Sequence, residues 1–435
     1  MRLRMLAAAA AAVLTVAATA SCGGGSADDS GVVTLKLGFY AAAGDPADTT
    51  MRELVKEFTA ANPSIKVQLE VAPYVKFFEK LRTEIAGGQA PQVWLSDGVL
   101  VQEFAARGAL ADLTDRVKTV NAADYSGIEL NRDTKGRIYG FPQGAQTPVL
   151  FYNKKLFAEA GVDTPTPDWT YDDLAAAARK LTKDTNNDGK PDTYGFRAYS
   201  PGFTESWWPI IKAFGGDIVT DGNRKVVVDS PQSKAALDWM LGAMGTDGGK
   251  DGFAPDYATT EGLGKGVVHT LFATGRVAMS YGIYARTLPA ASAGVDFGVA
   301  PMPKGPAGRG NVAIVNSWVV GKAASPAQAD AAWKWITFFS GEGPQRKWAE
   351  LGEAIPINKK VAATALPADR RQAFLDSLDA ATDLGVNAVW SEYTEALSKR
   401  ISEALSGASP VDTALATGQK EAQEVIDRFY AGQTQ

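Results

Sequence analysis

Residues 32–95 read VVTLKLGFYAAAGDPADTTMRELVKEFTAANPSIKVQLEVAPYVKFFEKLRTEIAGGQAPQVWL, and their order decides the fold. Val32 to Phe39 is β-branched and partly alternating, which predicts a strand. Asp48 to Ala61 sets Met51, Leu54, Val55 and Phe58 at i, i+3, i+4 and i+7, one apolar face of a helix that Asn62-Pro63 closes. Ile65 to Val71 alternates strictly, as a strand with one polar face does. Phe77 to Ala86 is helical and stops at Gly87-Gly88, and Val93-Trp94-Leu95 is a short buried strand. Strand, helix, strand, helix, strand predicts an α/β fold on a mostly parallel sheet with helices on both faces. Such sheets bind ligands beyond the carboxyl ends of their strands. Phe39, Tyr40 and the Ser96-Asp97 turn lie at such ends.

The alternation continues downstream. Val99 to Arg107 is a helix stopped by Gly108. A second region starts after Gly140-Phe141-Pro142, with Val149 to Tyr152 as a strand and Asn153 to Ala160 as a helix stopped by Gly161. Thr170 is a helix N-cap for a helix running to Leu181. Ser230-Pro231 opens another, from Gln232 to Ala243, with Ser at the N-cap and Pro at the first helical position. Trp333–Phe339 and Tyr393–Leu405 are further amphipathic helices. No internal repeat of fixed period is present.

Composition narrows the function. At 435 residues, with 45% hydrophobic side chains, the chain has material for two domains with substantial cores. Its formal charge of −5 argues against a nucleic-acid partner, which needs clustered Lys and Arg. The single histidine, His269, excludes a metal site built on two or more His. The single cysteine, Cys22, excludes an intrachain disulfide or a Cys-x-x-Cys centre.

That cysteine stands after an export signal. Arg2 and Arg4 precede a stretch from Met5 to Ala20 without a charge, too short for a span of about 20 residues and suited to a signal peptide. Thr19-Ala20-Ser21-Cys22-Gly23 resembles the bacterial lipobox, with Thr19 where Leu or Val is preferred. The expectation is a signal over 1–21, lipidation of Cys22, a flexible tether over 22–30, and an extracytoplasmic body held to the cell membrane. The other reading is an ordinary signal peptide with Cys22 incidental.

Several spaced motifs carry a family resemblance. Phe58 to Val67 fits F-x-x-x-x-P-x-I-K-V. Lys80 to Val93 follows K-L-x-x-x-x-A-G-x-x-P-D-V with one extra residue between Gly87 and Pro91 and with Gln92 where Asp is usual. Phe104 to Leu113 fits F-A-x-x-G-x-L-x-x-L. Tyr139-Gly140-Phe141-Pro142 and Leu150-Phe151-Tyr152-Asn153-Lys154 fit Y-G-x-P and L-x-Y-N-K. Phe272 to Met279 and Phe297 to Pro303 fit F-x-x-G-x-A-A-M, with Val277 in place of its first Ala, and F-G-V-A-P-x-P. Taken in this order, they resemble the extracellular solute-binding proteins of ABC importers, the family that includes maltose-binding protein. The resemblance implies two α/β lobes, joined by a hinge that the chain crosses two or three times. The first lobe is expected over 31–146 and 317–358, the second over 147–316 and 359–435. It further implies a monomer that captures a sugar or oligosaccharide between the lobes, closes on it, and passes it to membrane permease subunits.

Sugar rings offer apolar faces for aromatic side chains and hydroxyl rims for carboxylates and amides. The resemblance places Trp207 and Trp208, ahead of Pro209, on the second lobe's side of the cleft, the alternative being core. Asp97 is where the family puts a hydroxyl-binding acid, or else caps the following helix. Gln146 and Thr147 stand at a hinge position. Tyr284 replaces a usual Trp, Trp318 lies at another crossing, and Trp390 matches a stacking aromatic. Tyr40 and Asp45 follow from the first strand end. On this reading Trp208→Ala or Trp390→Ala costs affinity and little stability.

Asp184-Thr185-Asn186-Asn187-Asp188-Gly189-Lys190-Pro191-Asp192 has the oxygen spacing of most of a calcium loop, through Asp184, Asn186, Asp188, the Lys190 carbonyl and Asp192. Gly195 stands where the bidentate Glu belongs, so the choice is a structural calcium or an Asx-rich turn. No cofactor is otherwise required. P-loop and Gly-x-Ser-x-Gly motifs are absent. The rival readings are an exported hydrolase of carbohydrates using a carboxylate pair, and the same fold binding a non-sugar solute such as a polyol.

Overall fold

The computed structural model describes residues 31–199, 204–245, 252–262 and 270–432. The predicted signal, the tether, Cys22 and His269 lie outside them. Among the described residues no helix is long and apolar enough to cross a membrane.

Twelve strands follow one another along the described chain: β1 (Val33–Tyr40), β2 (Ile65–Ala72), β3 (Val93–Ser96), β4 (Gly140–Gln146), β5 (Val149–Asn153), β6 (Tyr194–Arg197), β7 (Val219–Thr220), β8 (Lys225–Val226), β9 (Val277–Gly282), β10 (Phe297–Ala300), β11 (Ile314–Val320) and β12 (Ile355–Pro356). They build a six-stranded sheet in the order β12-β4-β11-β3-β1-β2, a four-stranded sheet β10-β5-β9-β6, and the hairpin β7-β8. Each larger sheet is the centre of one lobe.

The sheets are mixed, where the sequence predicts mostly parallel ones. β1 is parallel to β2 and β3, but β11 is antiparallel to both β3 and β4, and β12 to β4. In the second sheet only β6 and β9 run parallel. The cause is the two-lobed path. The chain leaves the first sheet along β4 and re-enters along its neighbour β11, and an exit and a return side by side must run in opposite directions.

Helix formation follows local rules. Thr170 and Asp173 make a reciprocal capping box, as do Ser325 and Gln328, and Ser230 accepts from the Ser233 amide ahead of Pro231. The helix Pro326–Phe339 covers β11, laying Trp335 and Phe339 on Trp318 with ring centroids 5.6 and 5.3 Å away. The helix Lys359–Ala365 packs on β12 and the helix Glu342–Glu350, beside the first sheet rather than the second. The crossing ahead of β11 is laced to a later segment. Ala313 N donates to Thr382 O, Thr382 N donates to Asn311 O, and Asn311 Nδ2 donates to Ser377 O.

Candidate functional site

Strand direction puts many chain ends on one edge of the first sheet. Parallel β1, β2 and β3 end there in Tyr40, Ala72 and Ser96. Ser317 opposite Ser96, Gln146 opposite Ile314, and Ile355 opposite Ala145 bring the start of β11, the end of β4 and the approach to β12 to the same edge. In the second sheet, β6 and β9 end at Arg197 and Gly282, beside the start of β5. The two edges adjoin. Tyr284 Oη donates to Ala349 O at 3.4 Å, and a Cβ on Gly352 would stand 3.2 Å from Leu288 Cβ. The helix Trp390–Leu405 rests on the turn Gly98–Leu100.

Aromatic rings and carboxylates meet at this seam. The Tyr40 ring lies edge-on to Tyr74, 5.3 Å away, and 5.5 Å from Phe78. Tyr74 opens helix Tyr74–Ala86 and is 45% exposed. Its hydroxyl donates to Asp97 Oδ2 at 2.9 Å, while Asp97 Oδ1 accepts from Val99 N at 3.2 Å. Asp97 thus caps the turn after β3 and also faces the seam. Burial pushes its carboxyl above the usual range, against the two hydrogen bonds that pull it down. Glu353, exposed at the rim of the seam, is pushed up too, by reduced solvation and by the nearby Asp45 carboxylate, against the pull of Arg286. The Tyr40 phenol is pushed well above its usual value by burial first, then by Asp97, Tyr74 and Glu353. Arg197 is brought down to about 10 by burial and by its neighbour Arg286. Glu353 of the first lobe therefore faces the Arg286 guanidinium of the second, and Arg197 is the neighbour of Arg286.

Three predicted residues carry buried oxygens for which no partner is present among the described residues: Tyr40 Oη, Gln146 Oε1 and Thr147 Oγ1. Gln146 Nε2 donates to Glu353 O, which fixes that amide beside the acid. Asp45 is exposed before the helix Pro46–Ala61 and accepts from Ala42 N at 3.1 Å. Trp390 is half-buried, packs against residues of both lobes, and donates from Nε1 to Leu384 O at 2.8 Å.

Other predicted residues lie elsewhere. Trp207 and Trp208 are 1% and 2% exposed and belong to the second lobe's core. Gly385 gives Trp208 its room, since a Cβ there would come within 3.0 Å of the indole. Trp318 is fully buried because β11 is a central strand roofed by a helix. Tyr284 is buried against Phe374, at 5.2 Å, and offers the seam only its hydroxyl bond to Ala349.

The Asp184–Asp192 loop ties itself together. Asp184 Oδ2 accepts from Gly189 N, Asp188 Oδ1 from Lys190 N, and Asp192 Oδ2 from Thr185 N; Asn186 Nδ2 donates to Asp188 and Asp192. Among the described residues no group of three or more His, Cys, Asp or Glu is placed to share a metal ion.

The family model for bacterial extracellular solute-binding proteins matches residues 42–346. The chain belongs to this family. Among relatives of this solute-binding protein, a putative binding protein of Brucella abortus is 23% identical over 407 residues, covering 92% of this chain and 94% of the relative. The erythritol/L-threitol-binding protein of Mycolicibacterium smegmatis is 26% identical over 341 residues, 73% of this chain and 69% of that one. An ABC substrate-binding protein from Listeria monocytogenes, solved in complex with cycloalternan, superposes with a TM-score of 0.76. It is 26% identical and covers 92% of this chain and 99% of that structure.

The sequence reading missed Tyr74, Glu353, Arg197 and Arg286. Tyr74 was within reach: it follows the carboxyl end of the second strand, where the rule that found Tyr40 applies equally. Glu353 enters through an antiparallel strand of two residues, a signal too short to read in advance.

Proposed function

We propose that this solute-binding protein captures a sugar or oligosaccharide between its lobes and delivers it to the permease of an ABC importer, held to the membrane through lipid on Cys22. The observation that carries this reading is the set of buried oxygens of Tyr40, Gln146 and Thr147 without a partner among the described residues, at the edge where Tyr40 meets the exposed ring of Tyr74. A buried polar group without a partner costs about 1–3 kcal/mol. A ligand that supplies hydroxyl groups at that edge recovers this cost, and an apolar ring face of the ligand covers Tyr74. Carboxylates of Asp97 and Glu353 accept hydroxyl protons, and the guanidinium groups of Arg197 and Arg286 donate from the other lobe. Closure of the lobes on such a ligand removes it from water, with no bond made or broken.

A second reading, capture of a polyol, is supported by the Mycolicibacterium relative. Both are tested by thermal shift of the purified protein with linear and cyclic oligosaccharides and with erythritol, with and without calcium. A ligand at 100 times its Kd adds about 2.7 kcal/mol of stability. A shift with oligosaccharides, and recovery of the sugar unchanged, supports the first reading; a shift with erythritol alone supports the second. Consumption of the sugar overturns both in favour of a hydrolase.

A further inference from the structure

A second crevice, of about 570 Å³, lies away from Tyr40 and Tyr74, and its walls come from both lobes. From the first lobe come Arg132, Lys135, Arg137 and Lys322; from the second comes Arg224. The one acid in its lining is Asp133. That is a concentration of positive charge on a chain whose net charge is −5.

The cations are arranged rather than scattered. Arg132 is clamped by Glu129, through Nε at 2.6 Å and Nη2 at 2.8 Å, and by the Gly136 carbonyl through Nη1. Arg137 is held by Asp133 at 2.9 Å. Arg224 stands over the Tyr430 ring, with Cζ 4.0 Å from its centroid. Among the described residues no carboxylate lies within 4 Å of the Arg224, Lys135 or Lys322 charges.

The second-lobe wall is the tip of the β7-β8 hairpin, and it is held under strain. Asp221, Gly222 and Asn223 have φ of 54°, 65° and 63°, three left-handed residues in a row. Asp and Asn tolerate that region, but a run of them persists only where neighbours fix it. Here Asn223 Nδ2 donates to Val386 O at 3.2 Å and Asn387 Nδ2 donates to Asn223 O at 2.6 Å. So fixed, the tip reaches the first lobe: a Cβ on Gly222 would lie 3.5 Å from Thr134 Cγ2.

We propose that this crevice is an anion site bridging the lobes, taking a small molecule with two or more carboxylate or phosphate groups. Cations in a concave site concentrate their field on its interior. The Arg132 and Arg137 forks are occupied by Glu129 and Asp133 and frame the crevice, which leaves the Lys135, Lys322 and Arg224 charges to meet those oxyanions. Because one wall belongs to each lobe, the bound anion draws the hairpin tip and the turn 132–137 together.

The test is calorimetric titration of the purified protein with citrate and, separately, pyrophosphate, at ionic strength held constant with sodium chloride. Saturable millimolar or tighter binding of at least one probe is expected, and which one binds identifies the oxyanion. Lys135→Gln in the first lobe and Arg224→Gln in the second should each weaken it about three- to fivefold, the worth of one exposed charge pair. Arg224→Lys should retain most of it. Lys155→Gln, an equal loss of charge on another surface, should leave it unchanged. Unfolding midpoints in chloride alone confirm that each variant is folded. The proposal is overturned by the absence of saturable binding of both probes. It is equally overturned by affinity that Lys155→Gln lowers as much as the crevice variants do, or that Arg224→Gln leaves unaltered.

Discussion

The Tyr74 hydroxyl donates to Asp97 Oδ2 at 2.9 Å, joining the ends of β2 and β3 across Tyr40 on the strand between them. One exposed ring, one carboxylate and one buried phenol are thereby fixed relative to each other, which is the preorganisation that sugar recognition rewards.

The ring of Tyr74 should carry stacking energy. Tyr74→Ala is expected to weaken sugar binding about tenfold, within the 0.5–1.5 kcal/mol that an aromatic contact adds beyond area. Tyr74→Phe keeps the ring and should lose far less. Titration calorimetry on the ligand identified by thermal shift checks both. Equal losses in the two variants would mean that the hydroxyl, and not the face, matters.

Glu353 and Asp97 should each contribute more stability to the ligand-free protein in mild acid than at neutral pH. Both carboxyls titrate higher in the folded chain than in the unfolded one. The folded chain therefore holds more protons in the interval between the two values. Stability is full below the ordinary carboxylate range and falls as pH rises through the raised values. Glu353→Gln should raise the unfolding midpoint at pH 7 and leave it unchanged below about pH 4, where the native glutamate is protonated in both states. A gain of the same size at both pH values would contradict this.

The buried tryptophans should act on stability. Trp208→Ala and Trp318→Ala each empty a fully packed site and should cost about 3–5 kcal/mol. This replaces the sequence-based expectation that Trp208→Ala spares the fold. Trp390→Ala should cost less stability and more affinity, because that ring is half-buried at the seam. Denaturant midpoints and ligand titration on the same three variants separate the two effects.

Gly98 should prove intolerant for a reason of space. A Cβ there would lie 2.5 Å from the Val315 carbonyl oxygen, so Gly98→Ala must push the Asp97 turn away from β11. Lower stability and weaker ligand binding together are expected, measured by the same two methods; unchanged affinity would show that the turn does not position Asp97.

Much of this was legible in the residues. Periodicity located Met51, Leu54 and Phe58 on a buried helix face and Val93 to Leu95 in a buried strand, because spacing reports which side is covered. The rule of strand ends found Tyr40 and Asp97. Strand direction was not legible: β11 and β4 lie side by side through a return of the chain that no local pattern encodes. Tryptophans misled for a related reason. A Trp near a crossing can face the cleft or the core, and for Trp318 the choice was made by Trp335, on a helix that sequence alone does not place over it.

The central position of β11 also sets a timetable. Ser317 completes its pairing with Ser96, roughly 220 residues earlier in the chain. The first sheet therefore cannot be finished until the whole second sheet has been synthesised. Loop closure of that length is paid before its contacts give anything back, so folding should be slow for its size. For a member of an extracellular family, that delay leaves the chain open for longer after synthesis. Its late strand works as a clock as well as a support for the cleft.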